Sequence, residues 1–230
     1  MIRAARRANT TARPGRSAVR PVVAMAVFLL AAAGCSSSEP GRTTYTFNAD
    51  DSPVEVDTPA LRALKKAAGI EPCPAPRTGA RPVSGGLPEV TLPCLGGGPE
   101  VDLAGLRGPL VLNFWSQTCG PCREESPILQ QLSTAGKGRV RVVGVDFYDP
   151  RPSYAIAFAK ELGLTYPQIA DPVAVTKVPL HIAGLPITLL VDASGRVAYT
   201  QVGAVSSRTE LAALVLDHLG VSVAMPEPGS

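Results

Sequence analysis

A largely apolar run from Leu110 to Trp115 is followed, after three intervening residues, by the tetrapeptide Cys119-Gly120-Pro121-Cys122. Such a run is typical of a strand buried on both faces. Two thiols three positions apart, where a strand gives way to a helix, can close a disulfide that opens easily and carries two electrons. Half of a zinc site or a fixed disulfide would have the same spacing. No second C-x-x-C and no H-x-x-x-H pattern occurs in the chain, so we predict a redox pair and no metal.

The first 34 residues have the features of an export signal. They contain six of the 22 basic residues and none of the 19 acidic ones, and a short apolar stretch (22–33) precedes Gly34-Cys35. These features predict a secretory leader, with an apolar segment too short to cross a bilayer comfortably. Cys35 looks like the lipidated cysteine of a bacterial lipoprotein, and an uncleaved N-terminal anchor is the alternative. Both interpretations predict an extracytoplasmic protein anchored to the outer face of the cell membrane. In the first, which we prefer, the lipid anchor is the membrane contact.

Without the leader, the formal net charge changes from +3 to about −3, because the leader's six basic residues are lost and no acid is. The basic character of the chain therefore belongs to the leader. No basic patch or run of interleaved basic and aromatic residues occurs, so we predict no nucleic-acid partner.

Composition and turn signals divide the chain into four parts. We predict a leader (1–34), a polar tether with a short helix (35–82), a compact domain (83–222) and a disordered tail (223–230). Thr58-Pro59 is a favourable helix start and Gly69 a favourable helix end, which predicts the short helix between them.

The sequence pattern of the domain predicts an α/β fold. Segments 89–92 and 100–103 flank Gly96-Gly97-Gly98 and predict a hairpin. Further strands are predicted at 110–115, 140–145, 187–191 and 196–202, and helices at 121–132, 154–162 and 211–219. Strands that alternate with helices and end in a hairpin predict a mixed sheet with helices on both faces.

Two stretches then carry a resemblance to a known family. They are LAGLRGPLVLNFWSQTCGPCREESPIL (103–129) and GLPITLLVDASGRV (184–197). Both resemble the TlpA/ResA-like branch of the thioredoxin superfamily, and the surroundings of Cys73 and Cys94 look like an actinobacterial version of this group. The resemblance implies a thioredoxin-like mixed β-sheet flanked by helices. It also implies an N-terminal β-hairpin extension and a helical insertion between the βαβ and ββα halves.

The resemblance also implies a function. Members of this branch are membrane-tethered extracytoplasmic thiol-disulfide oxidoreductases, and many reduce apocytochrome c or other exported proteins. The implied partners are exported protein disulfide or dithiol substrates and a membrane electron donor of the thiol type. No cofactor is implied.

The two cysteines of the tetrapeptide are predicted to have different roles. Cys119 opens a helix, where the positive end of the dipole and unpaired N–H groups favour its thiolate, so it should be the exposed nucleophile. Cys122, one turn later, should be more buried and resolve the mixed disulfide by attacking Cys119. Gly120 keeps the turn narrow for an approaching substrate, and Pro121 stiffens the ring that the Cys119–Cys122 disulfide closes.

The resemblance assigns two further catalytic positions. Pro186 is cis in the family and lies against the cysteine pair, where it would turn the backbone of Leu185 outward to pair with a substrate strand. Glu125, three residues after Cys122, would exchange a proton with that thiol, and burial would raise its pKa. Cytoplasmic thioredoxins have a buried aspartate where this chain has Asn113, so Glu125 is the better proton partner. An ordinary exposed acid is the alternative.

Trp115 is predicted to form a rim of the substrate groove beside the disulfide, with a plain core tryptophan as the alternative. Cys73 and Cys94 are predicted to form a structural disulfide, since cysteines in an oxidising compartment are usually paired. The bridge would close a loop of about 20 residues and contribute ~3 kcal/mol. A second redox pair is the alternative, which the flanking prolines, with no helix start nearby, disfavour.

Two other functions stay open at this point. The same fold can work as an oxidant that forms disulfides, since the tetrapeptide does not fix the direction of electron flow. A binding module that delivers copper or haem through the cysteine pair is the third hypothesis. It is disfavoured because no cluster of Met or His residues is near the pair.

Overall fold

The computed structural model describes residues 45–46, 54–75 and 81–225. All of them belong to one compact unit, Arg42–Ser230. The predicted leader, including Cys35 as the lipidation site, lies outside the described residues. None of the helices within the described ranges is long and apolar enough to cross a membrane.

The described strands and helices follow the predicted order, with two short strands added. They are β1 (Tyr45–Thr46), α1 (Pro59–Ala68), β2 (Val90–Leu92), β3 (Val101–Asp102), β4 (Leu110–Trp115), α2 (Gly120–Ala135), β5 (Arg141–Phe147), α3 (Pro152–Glu161), β6 (Gln168–Asp171), β7 (Ile187–Val191), β8 (Val197–Val202) and α4 (Arg208–Leu219).

The central sheet has five strands in the order β6-β5-β4-β7-β8. Strand β4 lies in the middle, parallel to β5 and antiparallel to β7, while β6 is parallel to β5 and β8 antiparallel to β7. The predicted mixed sheet flanked by helices is therefore confirmed. Helix α3 lies between the β4-α2-β5 unit and the β7-β8-α4 unit, as the predicted insertion requires.

The helices occupy one face of this sheet, and the prediction of helices on both faces is wrong. Their buried apolar side chains all belong to the core that contains Val111, Val142 and Leu190 of the sheet. The crossovers β4-α2-β5 and β5-α3-β6 step in the same direction along the sheet. Right-handed crossovers in the same direction put both helices on the same face.

The opposite face is covered by a small three-stranded sheet of order β1-β2-β3. Strands β2 and β3 pair antiparallel, which confirms the predicted hairpin, and β1 pairs parallel to β2. The apolar side chains of β2 and β3 pack with Leu112, Phe114 and Val145 of the central strands in a second core.

Helix α1 packs onto the domain. Its start is capped by Thr58, whose hydroxyl accepts from the N–H of Leu61, and Gly69 ends it in the left-handed conformation. Both features match the predicted helix signals. Leu61 and Ile70 are buried in the core that contains α3, and so is Val223 near the C-terminus.

Candidate active site

Cys119 lies where β4 ends and α2 begins. It is the N-cap residue of α2, and its Sγ accepts a hydrogen bond of 3.2 Å from the backbone N–H of Cys122. The two sulfurs are joined in a disulfide, with the Cα atoms 5.2 Å apart. When the bond opens, this N–H and the positive end of the helix would stabilise a thiolate at Cys119.

The two sulfurs differ in exposure. Cys119 is half-buried, while Cys122 is 0% exposed and packs in the core under α2. Gly120 and Pro121, between them, are exposed, and no atom outside the local chain lies within 4 Å of a Cβ placed on Gly120. An incoming partner can therefore approach Cys119 but not Cys122.

Glu125 lies one turn after Cys122 and is 1% exposed. Its Oε1 accepts from the side-chain amide of Asn113 at 2.7 Å, and its Oε2 accepts from the backbone N–H of Val205 at 2.9 Å. The Asn113 amide also donates to the hydroxyl of Thr188 at 3.0 Å. Both carboxyl oxygens are therefore held in a fixed orientation.

Burial raises the pKa of Glu125 to about 7, and the two hydrogen bonds only partly offset this rise. A group with a pKa near neutrality can both accept and donate a proton at physiological pH. The neighbouring Glu124 is exposed. The buried carboxyl group on this helix is thus the one at the predicted position.

The loop before β7 has the geometry implied by the resemblance. The Leu185–Pro186 peptide bond is cis, Pro186 is buried and Leu185 is half-buried. Pro186 directly precedes β7, whose residues Ile187 and Thr188 lie beside Phe114 and Asn113 of β4. The cis-proline loop and the cysteine pair are therefore at the same end of the sheet.

Trp115 does not line a groove. It is 1% exposed, its ring stacks on Phe158 with centroids 4.9 Å apart, and its Nε1 donates to Gln168 Oε1 at 3.0 Å. The predicted rim position is therefore wrong and the core alternative is correct. Trp115 supports the site from below.

Sequence reasoning missed Thr188, Gln168 and the Val205 N–H. A signal for Thr188 was available, because Asn113 and Thr188 are polar residues within otherwise apolar strands. The two residues are direct cross-strand partners. Buried polar side chains usually have hydrogen-bonding partners, so two on facing strands indicate a shared polar network. The contribution of Val205 comes from its backbone and leaves no sequence signal.

The match to a protein-family model assigns the chain to a family. The Redoxin model matches residues 82–215, which include the disulfide, Glu125 and the cis-proline loop. The chain belongs to the Redoxin family. The match begins before Cys94 and after Cys73, so the second disulfide ties the Redoxin domain to a segment outside it.

Curated relatives of this Redoxin domain are named as exchange proteins. "Thiol:disulfide interchange protein DsbE" of Escherichia coli K12 is 37% identical over 110 residues, covering 47% of this chain and 57% of its own. "Thiol:disulfide interchange protein CycY" of Rhizobium leguminosarum is 35% identical over 107 residues, covering 46% and 56%. The chain therefore spans a little over half the length of the curated relatives it matches.

A solved structure supports the fold. The structure of dsbF from MTB, described in mixed oxidised and reduced forms, has a TM-score of 0.50 at 26% identity. It covers 55% of this chain and 92% of that one. The predicted thioredoxin-like fold and the resemblance to thiol-disulfide oxidoreductases are thus confirmed at the level of the Redoxin family.

A second disulfide joins Cys73 to Cys94, with the Cα atoms 5.9 Å apart. Both sulfurs are nearly buried, with Cys73 4% and Cys94 2% exposed. Cys94 lies just after β2, in an antiparallel bridge to Ile169 of β6, so the disulfide holds the 54–75 segment to the edge of the central sheet. Within the described ranges, no group of three or more His, Cys, Asp or Glu residues could hold a metal ion.

Proposed function

We propose that this protein is an extracytoplasmic thiol-disulfide oxidoreductase that exchanges electrons with protein substrates through Cys119 and Cys122. The main support is the asymmetry of this pair. One sulfur is accessible at a helix N-terminus, and the other is buried one turn from a carboxyl group with a pKa of about 7. The names of the relatives agree with this chemistry.

The reduced protein begins the proposed cycle. The Cys119 thiolate attacks one sulfur of a substrate disulfide, and the other substrate sulfur leaves as a thiolate and takes a proton. Glu125 then accepts the proton of Cys122, whose thiolate attacks Cys119 Sγ. The substrate leaves fully reduced, and the Cys119–Cys122 disulfide holds the two oxidising equivalents.

A dithiol donor at the membrane would reduce this disulfide and return the proton through Glu125. We propose exported proteins such as apocytochrome c as substrates, following the family resemblance. The cis Leu185–Pro186 bond beside the pair would present the Leu185 backbone to an extended substrate segment. Gly120 and Pro121 leave that approach open.

The proposed location follows from the leader. A lipid on Cys35 would anchor the protein to the outer face of the cell membrane, with the domain following this residue in the chain. Labelling with a radioactive fatty acid in cells tests this anchor. Incorporation that is lost in Cys35→Ser supports it, and the same label in Cys35→Ser contradicts it.

A reduction assay on a disulfide-containing protein tests the activity. Cys119→Ser should reduce the rate more than 10³-fold, because no accessible thiolate remains. Cys73→Ser/Cys94→Ser is the matched control, and it should keep the rate within a few fold. Full activity in Cys119→Ser would contradict the proposal.

The reduction potential of the Cys119–Cys122 pair tests the direction of electron flow. We propose a reductant, which predicts a value near that of thioredoxin, about −270 mV. A value near that of DsbA, about −120 mV, would instead assign the protein as an oxidant that forms disulfides.

A further inference from the structure

A buried lysine contacts the second disulfide. Lys65, in the last turn of α1, is 8% exposed. Its Nζ lies 2.8 Å from Cys94 Sγ and 2.7 Å from the carbonyl oxygen of Gly97. The other sulfur also has a polar neighbour, because Cys73 Sγ lies 3.1 Å from the carbonyl oxygen of Gln168. Cys94 Sγ therefore faces a cation, and the Gln168 carbonyl oxygen lies closer to Cys73 Sγ than to Cys94 Sγ, at 3.1 Å against 3.7 Å.

These neighbours match the reduced pair better than the disulfide. A disulfide sulfur has no proton to donate and is a weak acceptor for an ammonium group. A Cys94 thiolate would accept a charge-assisted hydrogen bond from Lys65. A Cys73 thiol would donate its proton to the Gln168 carbonyl oxygen. The surroundings are therefore complementary to a thiolate at Cys94 and a neutral thiol at Cys73.

Lys65 also has no carboxylate partner within salt-bridge distance in the part of the chain that the structure describes. Asp57, whose charge favours the ammonium form of Lys65, pairs with Arg62 at 2.6 Å. Burial is the larger effect and lowers the pKa of Lys65. A buried ammonium group without a counter-ion costs free energy. A thiolate at Cys94 would supply the missing negative charge.

The glycine turn after Cys94 allows this contact. A Cβ atom on Gly96 would lie 2.9 Å from the Cβ of Lys65, and one on Gly97 would overlap the carboxylate of Asp57. Both glycines also have a positive φ, of 70° and 89°. Side chains at these positions would push α1 away from the turn. The position of Lys65 therefore depends on close backbone packing.

A cleft lies beside the pair, lined in part by Lys65, Lys66, Pro72 and Gly98. A Cβ atom on Gly98 would lie 3.4 Å from Cys94 Sγ. The cleft therefore passes close to Cys94, and Pro72 on its wall directly precedes Cys73, whose sulfur a reductant must reach. Because both sulfurs are nearly buried, exchange requires a local opening and should be slower than at Cys119.

We propose that Cys73–Cys94 is a second exchangeable disulfide, reduced by an external dithiol, with Cys94 as the leaving group beside Lys65. A thiolate of the dithiol attacks Cys73 Sγ, the Cys73–Cys94 bond breaks, and Cys94 leaves as a thiolate. The second thiol of the reductant then attacks the mixed disulfide and passes its proton to Cys73. The reductant leaves as its own disulfide, and the two electrons remain on the cysteine pair.

Two consequences follow from this assignment. Stabilising the reduced form of a pair makes its disulfide easier to reduce. Reduction would also release the covalent link between residues 54–75 and the sheet. The proposal does not depend on the activity of Cys119 and Cys122, because the two pairs can be titrated separately.

A redox titration of the full chain tests the proposal. The protein is equilibrated at pH 7 with reduced and oxidised dithiothreitol in varied ratios, quenched with acid and alkylated, and each cysteine pair is quantified by peptide mass spectrometry. We expect Cys73–Cys94 to become half-reduced while the protein stays folded. Lys65→Met should require a ratio of reduced to oxidised dithiothreitol about tenfold higher, a shift of about 30 mV.

Two controls accompany this experiment. Lys66→Met removes the adjacent, exposed lysine and should not shift the titration. The Cys119–Cys122 pair in Lys65→Met should titrate as in the parent, which establishes that the variant is folded. The proposal is overturned if Cys73–Cys94 stays oxidised until the protein unfolds. It is also overturned if Lys65→Met and Lys66→Met shift the pair equally, or if Lys65→Met shifts both pairs equally.

Discussion

In each of the two disulfides of this protein, one sulfur lies next to a positive group, but different parts of the chain supply that group. At the first, the positive partner of Cys119 is the backbone at the start of α2, and the buried carboxyl group of Glu125 lies one turn after Cys122. At the second, the positive partner of Cys94 is the side chain of Lys65, and the acceptor near Cys73 is a backbone carbonyl group.

The comparison indicates how the position of each disulfide in the fold should determine its rate of thiol-disulfide exchange. The start of α2 follows the central strand at the end of the sheet, so the first pair presents one sulfur outward. The second pair lies between a packed helix and an edge strand, and neither sulfur is accessible. We therefore expect that a thiolate can be favoured at both pairs while rapid exchange is confined to the first.

Trapping of mixed disulfides should separate the pairs most strongly. In Cys122→Ser, the adduct on Cys119 has no resolving thiol and should accumulate with a disulfide-containing protein, as a mass shift on a non-reducing gel. Cys119→Ser leaves the buried Cys122 without its partner, and Cys73→Ser leaves the buried Cys94 without its partner. Neither should form the adduct at a comparable rate. Equal adduct formation in the three variants would remove the distinction between open and closed pairs.

The second disulfide should contribute more to the stability of the fold than the active pair, although it exchanges more slowly. Cys73 and Cys94 are 21 residues apart, whereas Cys119 and Cys122 are three apart. In the chain-entropy model, replacing the first two by alanine should lower the free energy of unfolding by about 3 kcal/mol, and replacing the active pair by less than about 2 kcal/mol. Urea denaturation measures both. A larger loss at the active pair would contradict this expectation.

The carboxyl group beside the active pair should control its rate. Glu125→Gln should slow disulfide exchange about tenfold at pH 7, because Cys122 loses its proton acceptor. The parent rate should rise with pH through about 7, where Glu125 ionises, and the variant should lose that step. Glu124→Gln, exposed on the same helix, is the control. A pH profile unchanged in Glu125→Gln would contradict the role.

The same carboxyl group should also leave a signature in stability. Its pKa in the folded protein, about 7, is above the ordinary value of 4.5, so the folded state binds the proton more tightly than the unfolded state. Its ionisation therefore destabilises the fold as pH rises from about 4.5 to 7, by roughly 3 kcal/mol at 1.36 kcal/mol per pKa unit. Unfolding curves at pH 5 and 8 should show a loss of stability in the parent that is smaller by about this amount in Glu125→Gln, because burial also raises the pKa of Asp146 and Asp171.

A smaller effect is expected at Asn113. Its amide donates to Glu125 at 2.7 Å and so favours the ionised carboxylate. Asn113→Ala should raise the pKa of Glu125 and move the pH step of the exchange rate upward, with a few-fold lower rate at pH 7. Thr188→Ala is the control, because it removes only the other partner of the amide. An equal displacement of the step in both variants would assign it to a general disturbance of the site.

Local signals predicted much of the fold. The cap and glycine stop of α1, the apolar strand before the cysteine pair and the periodic apolar residues of α4 each specify their own element. Strand β6 was missed because its four residues include polar Gln168 and Asp171 and show no alternation. The placement of all the helices on one face of the central sheet was also missed. It depends on the strand order, in which β6 pairs with β5.

The parts of the candidate site that depend on the spacing of residues along the sequence could be predicted. Cys119 caps α2, and Cys122 and Glu125 lie in its first two turns, so the relation of the three residues could be inferred from the sequence. The burial of Trp115 depends on contacts with Phe158 and Gln168, 43 and 53 residues later in the sequence. The contact of Lys65 with Cys94 requires α1 to dock on the glycine turn. Neither contact leaves a pattern within its own segment.

The burial of Trp115 provides an internal spectroscopic probe. It is the one tryptophan of the chain, packed in the same core as Cys122 and absent from the core that holds Cys73 and Cys94. Indole emission is quenched at short range by a disulfide. Fluorescence intensity should therefore follow the opening of the active pair in real time, which allows stopped-flow kinetics without any added label. Because Gln168 contacts both Trp115 and Cys73, the Cys73→Ser/Cys94→Ser variant isolates the signal of the active pair.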